Sequence, residues 1–181
     1  GSVQIDSEYI ERIGDEAFAG CSSVQIGIGK KTVKKGGKIK VVNEYVDNLK
    51  AIGRKAFSGI ENGVDIYASE IGQIASHVFS DTKGVDIYAT KIGQIGSNAF
   101  SGAEDVYVKE SEIGEIGSKA FFGVKREVTL DIEKVGQVGW GAFQNVKVVN
   151  LYGGAIDSRL FKSCNRKLEV RHFGQREEMK M

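Results

Sequence analysis

Phenylalanine returns along this chain at near-constant intervals. Phe18, Phe57, Phe79, Phe100, Phe121, Phe143 and Phe161 are separated by 39, 22, 21, 21, 22 and 18 residues. The same words surround them. Ile13-Gly-Asp-Glu-Ala-Phe18, Ile52-Gly-Arg-Lys-Ala-Phe57, Ile95-Gly-Ser-Asn-Ala-Phe100 and Ile116-Gly-Ser-Lys-Ala-Phe121 are close copies. Ile74-Ala-Ser-His-Val-Phe79, Val138-Gly-Trp-Gly-Ala-Phe143 and Ile156-Asp-Ser-Arg-Leu-Phe161 are degenerate ones. A fixed period near 21 residues means one supersecondary unit stacked on itself. So small a unit cannot bury its apolar side alone; its neighbours must cover it.

Six or seven residues after each Phe comes a short run with apolar residues at alternate positions: Val24/Ile26, Val64/Ile66, Val85/Ile87, Val106/Val108, Val128/Leu130, Val149/Leu151 and Leu168/Val170. Period-two alternation of β-branched residues predicts a half-buried strand. Val3/Ile5 supply the same element at the start. Ile39/Val41 supply it inside the long first interval, where one Phe turn is missing. The count is nine strands, which would form one parallel sheet about 40 Å long at roughly 4.8 Å per strand. A lone apolar residue follows each strand (Ile10, Leu49, Ile71, Ile92, Ile113, Val135). Then come an Ile-Gly corner and a single helical turn carrying Ala and Phe. Ser76, Ser97 and Ser118 stand where a hydroxyl caps the start of such a turn. The corner Gly suits a site that a Cβ would obstruct, and the Phe rings would stack inside the wall opposite the sheet.

The pattern Ile-Gly-x-x-Ala-Phe-x-Gly-Cys-x-x-Val-x-Ile resembles the BspA-like, or Treponema-type, leucine-rich repeats, over about residues 3–171. The resemblance implies an α/β leucine-rich repeat solenoid: a right-handed superhelix with one parallel sheet and short helical turns. It also implies a binding module, not an enzyme, used on cell surfaces of bacteria and some protists for adhesion to host proteins or neighbouring cells. The expected domain is residues 1–171, with a polar tail at 172–181. Gly1-Ser2 in place of a starting Met reads as the edge of a piece of a longer gene product. An extracellular or cell-surface location follows from the resemblance alone, since no secretory leader is read here.

Bulk composition excludes little else. Net charge is +1, so no global field points to nucleic acid, and none is expected as a partner. No apolar run approaches the roughly 20 residues of a membrane-spanning helix. Pro is absent, so Gly and Asn must make the turns. Cys21 and Cys164 occupy one repeat slot at opposite ends of the array, too far apart for the ~7 Å that a disulfide tolerates, and read as buried free thiols.

In such a solenoid the outward strand residues line the concave docking face. Pleating gives one column of Gln4, Gln25, Lys40, Asp65, Asp86, Tyr107, Thr129, Asn150 and Glu169. The next is Asp6, Gly27, Val42, Tyr67, Tyr88, Lys109, Asp131, Tyr152 and Arg171. Tyr67 and Tyr88 should be adjacent, with Tyr107 diagonal to them and Asp65 and Asp86 beside them. Tyrosine buries much area at small entropic cost. The expected ligand site, for a protein or glycan, is therefore Asp65, Tyr67, Asp86, Tyr88, Tyr107, Lys109, Thr129, Asp131, Asn150 and Tyr152. Duplication of Val-Asp-Ile-Tyr-Ala from 64–68 to 85–89 is the plainer account of the same residues. An architectural spacer in a larger surface protein needs no such patch.

Lys30, Lys31, Lys34, Lys35, Lys38 and Lys40 crowd eleven residues with no acid among them. They read as a basic loop, the least ordered internal stretch, able to bind a polyanion such as an anionic glycan. A merely solvated turn reads the same. Catalytic and metal motifs are not found. His77 and His172 are about 95 residues apart, no HExxH, GxSxG or CxxC occurs, and Asp65 with Asp86 make a weak cation site. No cofactor is expected. Trp140 reads as local packing in its turn.

Overall fold

The computed structural model describes residues 1–6, 9–27, 29–35, 38–153, 158–164 and 167–174; side chains at 29–35, 38–44, 110 and 111 lie outside that description. The strands are β1 (Ser2–Ile5), β2 (Arg12–Ile13), β3 (Ser23–Ile26), β4 (Gly29–Lys35), β5 (Lys38–Glu44), β6 (Val46–Ile52) and β7 (Val64–Ile74). After these come β8 (Gly84–Tyr88), β9 (Lys91–Ile95), β10 (Asp105–Ile116), β11 (Glu127–Val138), β12 (Val148–Gly153) and β13 (Glu169–Phe173). Eleven of them form one parallel sheet that winds through every coil.

Each coil has three sides. The first is the predicted alternating strand, in the order β1-β3-β7-β8-β10-β11-β12-β13. Eight strands stand here among the described residues, not nine. Val24 pairs directly with Val64, so no strand lies between β3 and β7. Ile39 and Val41 belong instead to an antiparallel hairpin, β4–β5, which forms its own two-stranded sheet with Lys35 opposite Lys38. The long first Phe interval is thus one coil with a hairpin inserted between its first and second strands. It is not two coils with a Phe missing.

The second side is also a strand, where only a lone apolar residue was expected. Leu49/Ile52, Ile71/Ile74, Ile92/Ile95 and Ile113/Ile116 are buried, and each pair brackets two residues. In the ladder Ile71 pairs with Ile92 and Gln73 with Gln94, while the glycine between is skipped. Both strands skip their glycine at the same place, so the pairing offset does not change and the skipped glycines lie against one another from coil to coil. A spacing of three hides such a strand from any period-two search. At Gly93 a Cβ would lie 2.4 Å from the carbonyl oxygen of Gly72 on the preceding coil, so only glycine lets the coils close up there.

The third side carries the Phe, and it is not helical. The residue two before Phe is left-handed in coil after coil: Glu16, Lys55, His77, Asn98 and Lys119 all have φ between 54 and 59°. A second left-handed residue follows Phe by two, at Gly20, Gly59, Asp81, Gly102, Gly123, Asn145 and Ser163. Two such residues in so few cannot fit a right-handed helical turn. The one helix among the described residues is the 3₁₀ turn Ser158–Phe161. Successive turns are bonded to one another instead. Phe57 N–H donates to Val78 O at 2.9 Å, Phe79 to Ala99 O at 2.8 Å, Phe100 to Ala120 O at 2.8 Å and Phe121 to Ala142 O at 2.8 Å. The fold is therefore a parallel β-solenoid with almost no helix, and the α/β expectation is corrected.

Inside, the Phe rings stack as predicted. Centroids are 4.9 Å apart for Phe79–Phe100 and for Phe100–Phe121, with interplanar angles of 10° and 2°. That matches the strand spacing of the coils. Phe57, Phe79, Phe100, Phe121 and Phe143 are fully buried, while Phe18 and Phe161 in the outer coils are only partly so.

Candidate functional site

The outward residues of the first side form registered columns. Gln4 pairs with Gln25, Gln25 with Asp65, Asp65 with Asp86, Asp86 with Tyr107, Tyr107 with Thr129 and Thr129 with Asn150. Beside this runs Tyr67, Tyr88 and Lys109, then Asp131 and Tyr152. At the last strand the expectation slips by two residues. Asn150 faces Arg171, not Glu169, and Tyr152 faces Phe173, not Arg171. The strand therefore runs on through His172 and Phe173, which had been assigned to the tail. Leu168 and Val170 alternate correctly, but Val170 is 37% exposed on this edge strand, so pattern alone cannot set the register.

Tyr67 and Tyr88 stack at 4.7 Å with 8° between their planes. Tyr107 meets Tyr88 edge-on, at 6.1 Å and 86°. Tyr45, which the sequence reading missed, extends the row beyond Tyr67 at 6.0 Å. It lies outside the alternating strands, just after the hairpin, so no periodicity flags it. At the other end Tyr152 stacks on Phe173 at 4.7 Å. Lys109 Nζ stands 6.0 Å from the Tyr88 centroid. The ring faces of Tyr67 and Tyr88 are therefore covered by their neighbours.

The carboxylates beside the row are uncomfortable. Burial raises the Asp65 carboxyl above its ordinary value. Burial, then the charges of Asp65 and Asp105, raise that of Asp86. Asp105 is raised by burial against the pull of Arg126, whose guanidinium is 3.1 Å from its Oδ2. The Tyr88 hydroxyl is pushed up to about 12, first by burial and then by Asp86. Asp105 and Glu127 were not among the expected site residues. They form the column two residues upstream of Tyr107 and Thr129, Gly84–Asp105–Glu127–Val148, the next outward position of the same pleat. Asn150 is buried and donates through Nδ2 to Glu127 Oε2 at 3.0 Å and to Thr129 Oγ1 at 3.2 Å.

The remaining candidates are not drawn together. The side chains of Lys30, Lys31, Lys34, Lys35, Lys38 and Lys40 lie outside the described residues; their backbone forms the hairpin, not a loop. Cys21 and Cys164 are free, and half-buried where full burial was expected; burial raises the Cys164 thiol. His77 Nδ1 is 3.4 Å from Ser80 Oγ in a turn, and His172 is on β13. Trp140 is 54% exposed, not packed inside, with Lys119 Nζ 5.6 Å from its ring. Among the described residues no helix is long and apolar enough to cross a membrane.

A stack of parallel coils with in-register aromatic and aliphatic ladders defines a solenoid repeat protein. The model of the BspA type Leucine rich repeat region matches residues 2–106 and 28–150, in six copies. The chain belongs to that family. Comparison with curated proteins and with solved structures gives no match.

Proposed function

We propose that this protein is a non-catalytic binding module whose first-strand face, from Tyr45 to Tyr152, docks a partner protein. One observation carries the proposal: a stacked row of tyrosines lies beside like-charged, half-buried carboxylates on one strand face. Burial first, and at Asp86 the neighbouring carboxylates as well, disfavours the ionised form, so the arrangement is costly to stability and useful to recognition. The row also favours protein over glycan. A sugar ring stacks on an open aromatic face, and the faces of Tyr67 and Tyr88 are covered by their neighbours, whereas ring edges and polar side chains suit the backbone and side chains of a protein. Membership of this family supports adhesion or host interaction at a bacterial cell surface as the setting.

The test pairs two double variants. Tyr67→Phe with Tyr88→Phe removes the hydroxyls and keeps the stack; Tyr67→Ala with Tyr88→Ala removes both. Capture from host-matrix proteins and from the producing cell's own envelope should fall with the first and vanish with the second. Undiminished capture by both variants moves the site elsewhere, first to the lysine hairpin, whose six lysines sit on two short paired strands and suit a polyanion. Elution of the protein from heparin at unchanged salt after those lysines are replaced removes that second site. No capture by the unaltered chain from either source favours an architectural spacer.

A further inference from the structure

The turns on the third side can be compared slot by slot, because each is hydrogen-bonded to the same position of the next coil. The N–H two residues after a Phe donates to the carbonyl just after the next Phe: Gly59 to Ser80 at 2.9 Å, and Asp81 to Ser101, Gly102 to Phe122 and Gly123 to Gln144 at 3.0 Å. The slot after Phe therefore holds Ser58, Ser80 and Ser101, then Phe122. The slot three before Phe is tied in the same way. Asn98 N–H donates to Ser118 O at 3.2 Å, and Lys119 N–H donates to Trp140 O at 3.1 Å. It holds Ser76, Ser97 and Ser118, then Trp140.

Two serine slots are thus filled by large rings, in adjacent coils and on the side away from the tyrosine row. Neither ring joins the core stack. Trp140 is 54% exposed and Phe122 is half-buried. The indole is held in place by a close approach of backbone, since a Cβ at Gly139 would collide with the main chain of Ser118. Between the rings stands a cation: Lys119 Nζ is 5.5 Å from the Phe122 centroid and 5.6 Å from that of Trp140. Among the described residues Lys119 has no carboxylate partner.

We propose that Trp140, Phe122 and Lys119 form a second binding site, for an acidic saccharide, with a sugar ring on the indole and its carboxylate on Lys119. The size of the patch argues for a small ligand. A stable protein interface buries about 1,200–2,000 Å² in all, far more than two rings and one lysine offer, whereas one pyranose ring matches one indole. The face of an aromatic ring is the negative part of its quadrupole and accepts the polarised C–H groups of a sugar. The unpaired ammonium beside it selects an anionic sugar over a neutral one. A bare anion would use the ammonium and leave the indole in water.

The experiment uses the whole chain and the emission of Trp140, its single tryptophan. The chain is titrated at constant ionic strength with trigalacturonate, with maltotriose as a neutral sugar and with citrate as an anion without a sugar ring. Trigalacturonate should change the emission saturably, and each control should bind at least about fivefold more weakly. Lys119→Gln should weaken trigalacturonate by about three- to fivefold, the upper worth of an exposed ion pair, and leave maltotriose unchanged. Trp140→Ala, followed through the NMR signals of the sugar, should lose trigalacturonate altogether. Both substitutions alter side chains at the surface, and an unchanged thermal midpoint confirms that the fold is kept. No saturable change in emission, an equal response to maltotriose or to citrate, or undiminished sugar binding by Trp140→Ala would each overturn the proposal. So would loss of protein capture by Trp140→Ala while sugars leave the indole unmoved, which assigns the patch to a protein interface.

Discussion

Truncating Phe100 isolates the central stack better than any other change. Its ring is fully buried and covered on both faces, by Phe79 and by Phe121, each at 4.9 Å. Phe-to-Ala in a core costs about 3–5 kcal/mol, and stacking on two neighbours puts this site in the upper half of that range. The Phe100 N–H to Ala120 O bond of 2.8 Å is main-chain, so it survives the substitution and the loss reports the ring alone. Phe161 is the comparison. It is partly buried and meets Phe143 alone in the stack, at 5.8 Å and 47°, so Phe161→Ala should cost about half as much or less. At roughly 2–4 °C per kcal/mol for a chain of this size, Phe100→Ala should lower Tm by about 8–20 °C. Urea titration followed both by circular dichroism and by fluorescence of the single Trp140 measures it. Coils that share one ladder should lose both signals together, at a lower midpoint and unchanged slope. Small, equal shifts at the two sites, below about 1 kcal/mol, would refute stacking as the source of stability.

Asp86 should trade stability against recognition. Its carboxyl is raised above 3.8, so the fold is favoured below that pH and loses this contribution as pH rises through the shifted value. Asp86→Asn should therefore melt higher than the parent at pH 7, the two converging as the pH is lowered to about 3.8; a lower melt at pH 7 contradicts the assignment. Gly93→Ala should cost about 1–3 kcal/mol, because its new methyl meets a backbone carbonyl. Gly84→Ala, with nothing within 4 Å of its Cβ, should be near neutral, and equal effects in denaturant titration would remove the close-approach argument. Trypsin should cut first between Lys30 and Lys40, since an isolated two-stranded hairpin opens cheaply. First fragments from residues 85–130, identified by mass, would contradict that.

The 21-residue period determined that this chain stacks identical units, and the position of Phe in each unit determined which side chain fills the interior. Those conclusions are local, because period-two alternation and a recurring large apolar residue leave few ways to bury both. Tyr67 beside Tyr88 followed from the same pleat. The strand at Ile71–Ile74 was not legible, because a glycine that steps out of the ladder breaks the alternation by which strands are recognised. The turn at His77 reads like a capped helix in sequence, yet its left-handed φ is set by hydrogen bonds to the next coil, which no single repeat contains. Only the tertiary structure joined Tyr45 to the tyrosine row and brought Asp105 and Glu127 beside Asp86. Those contacts lie between coils, and their register is fixed by the ladder as a whole, not by the residues that meet.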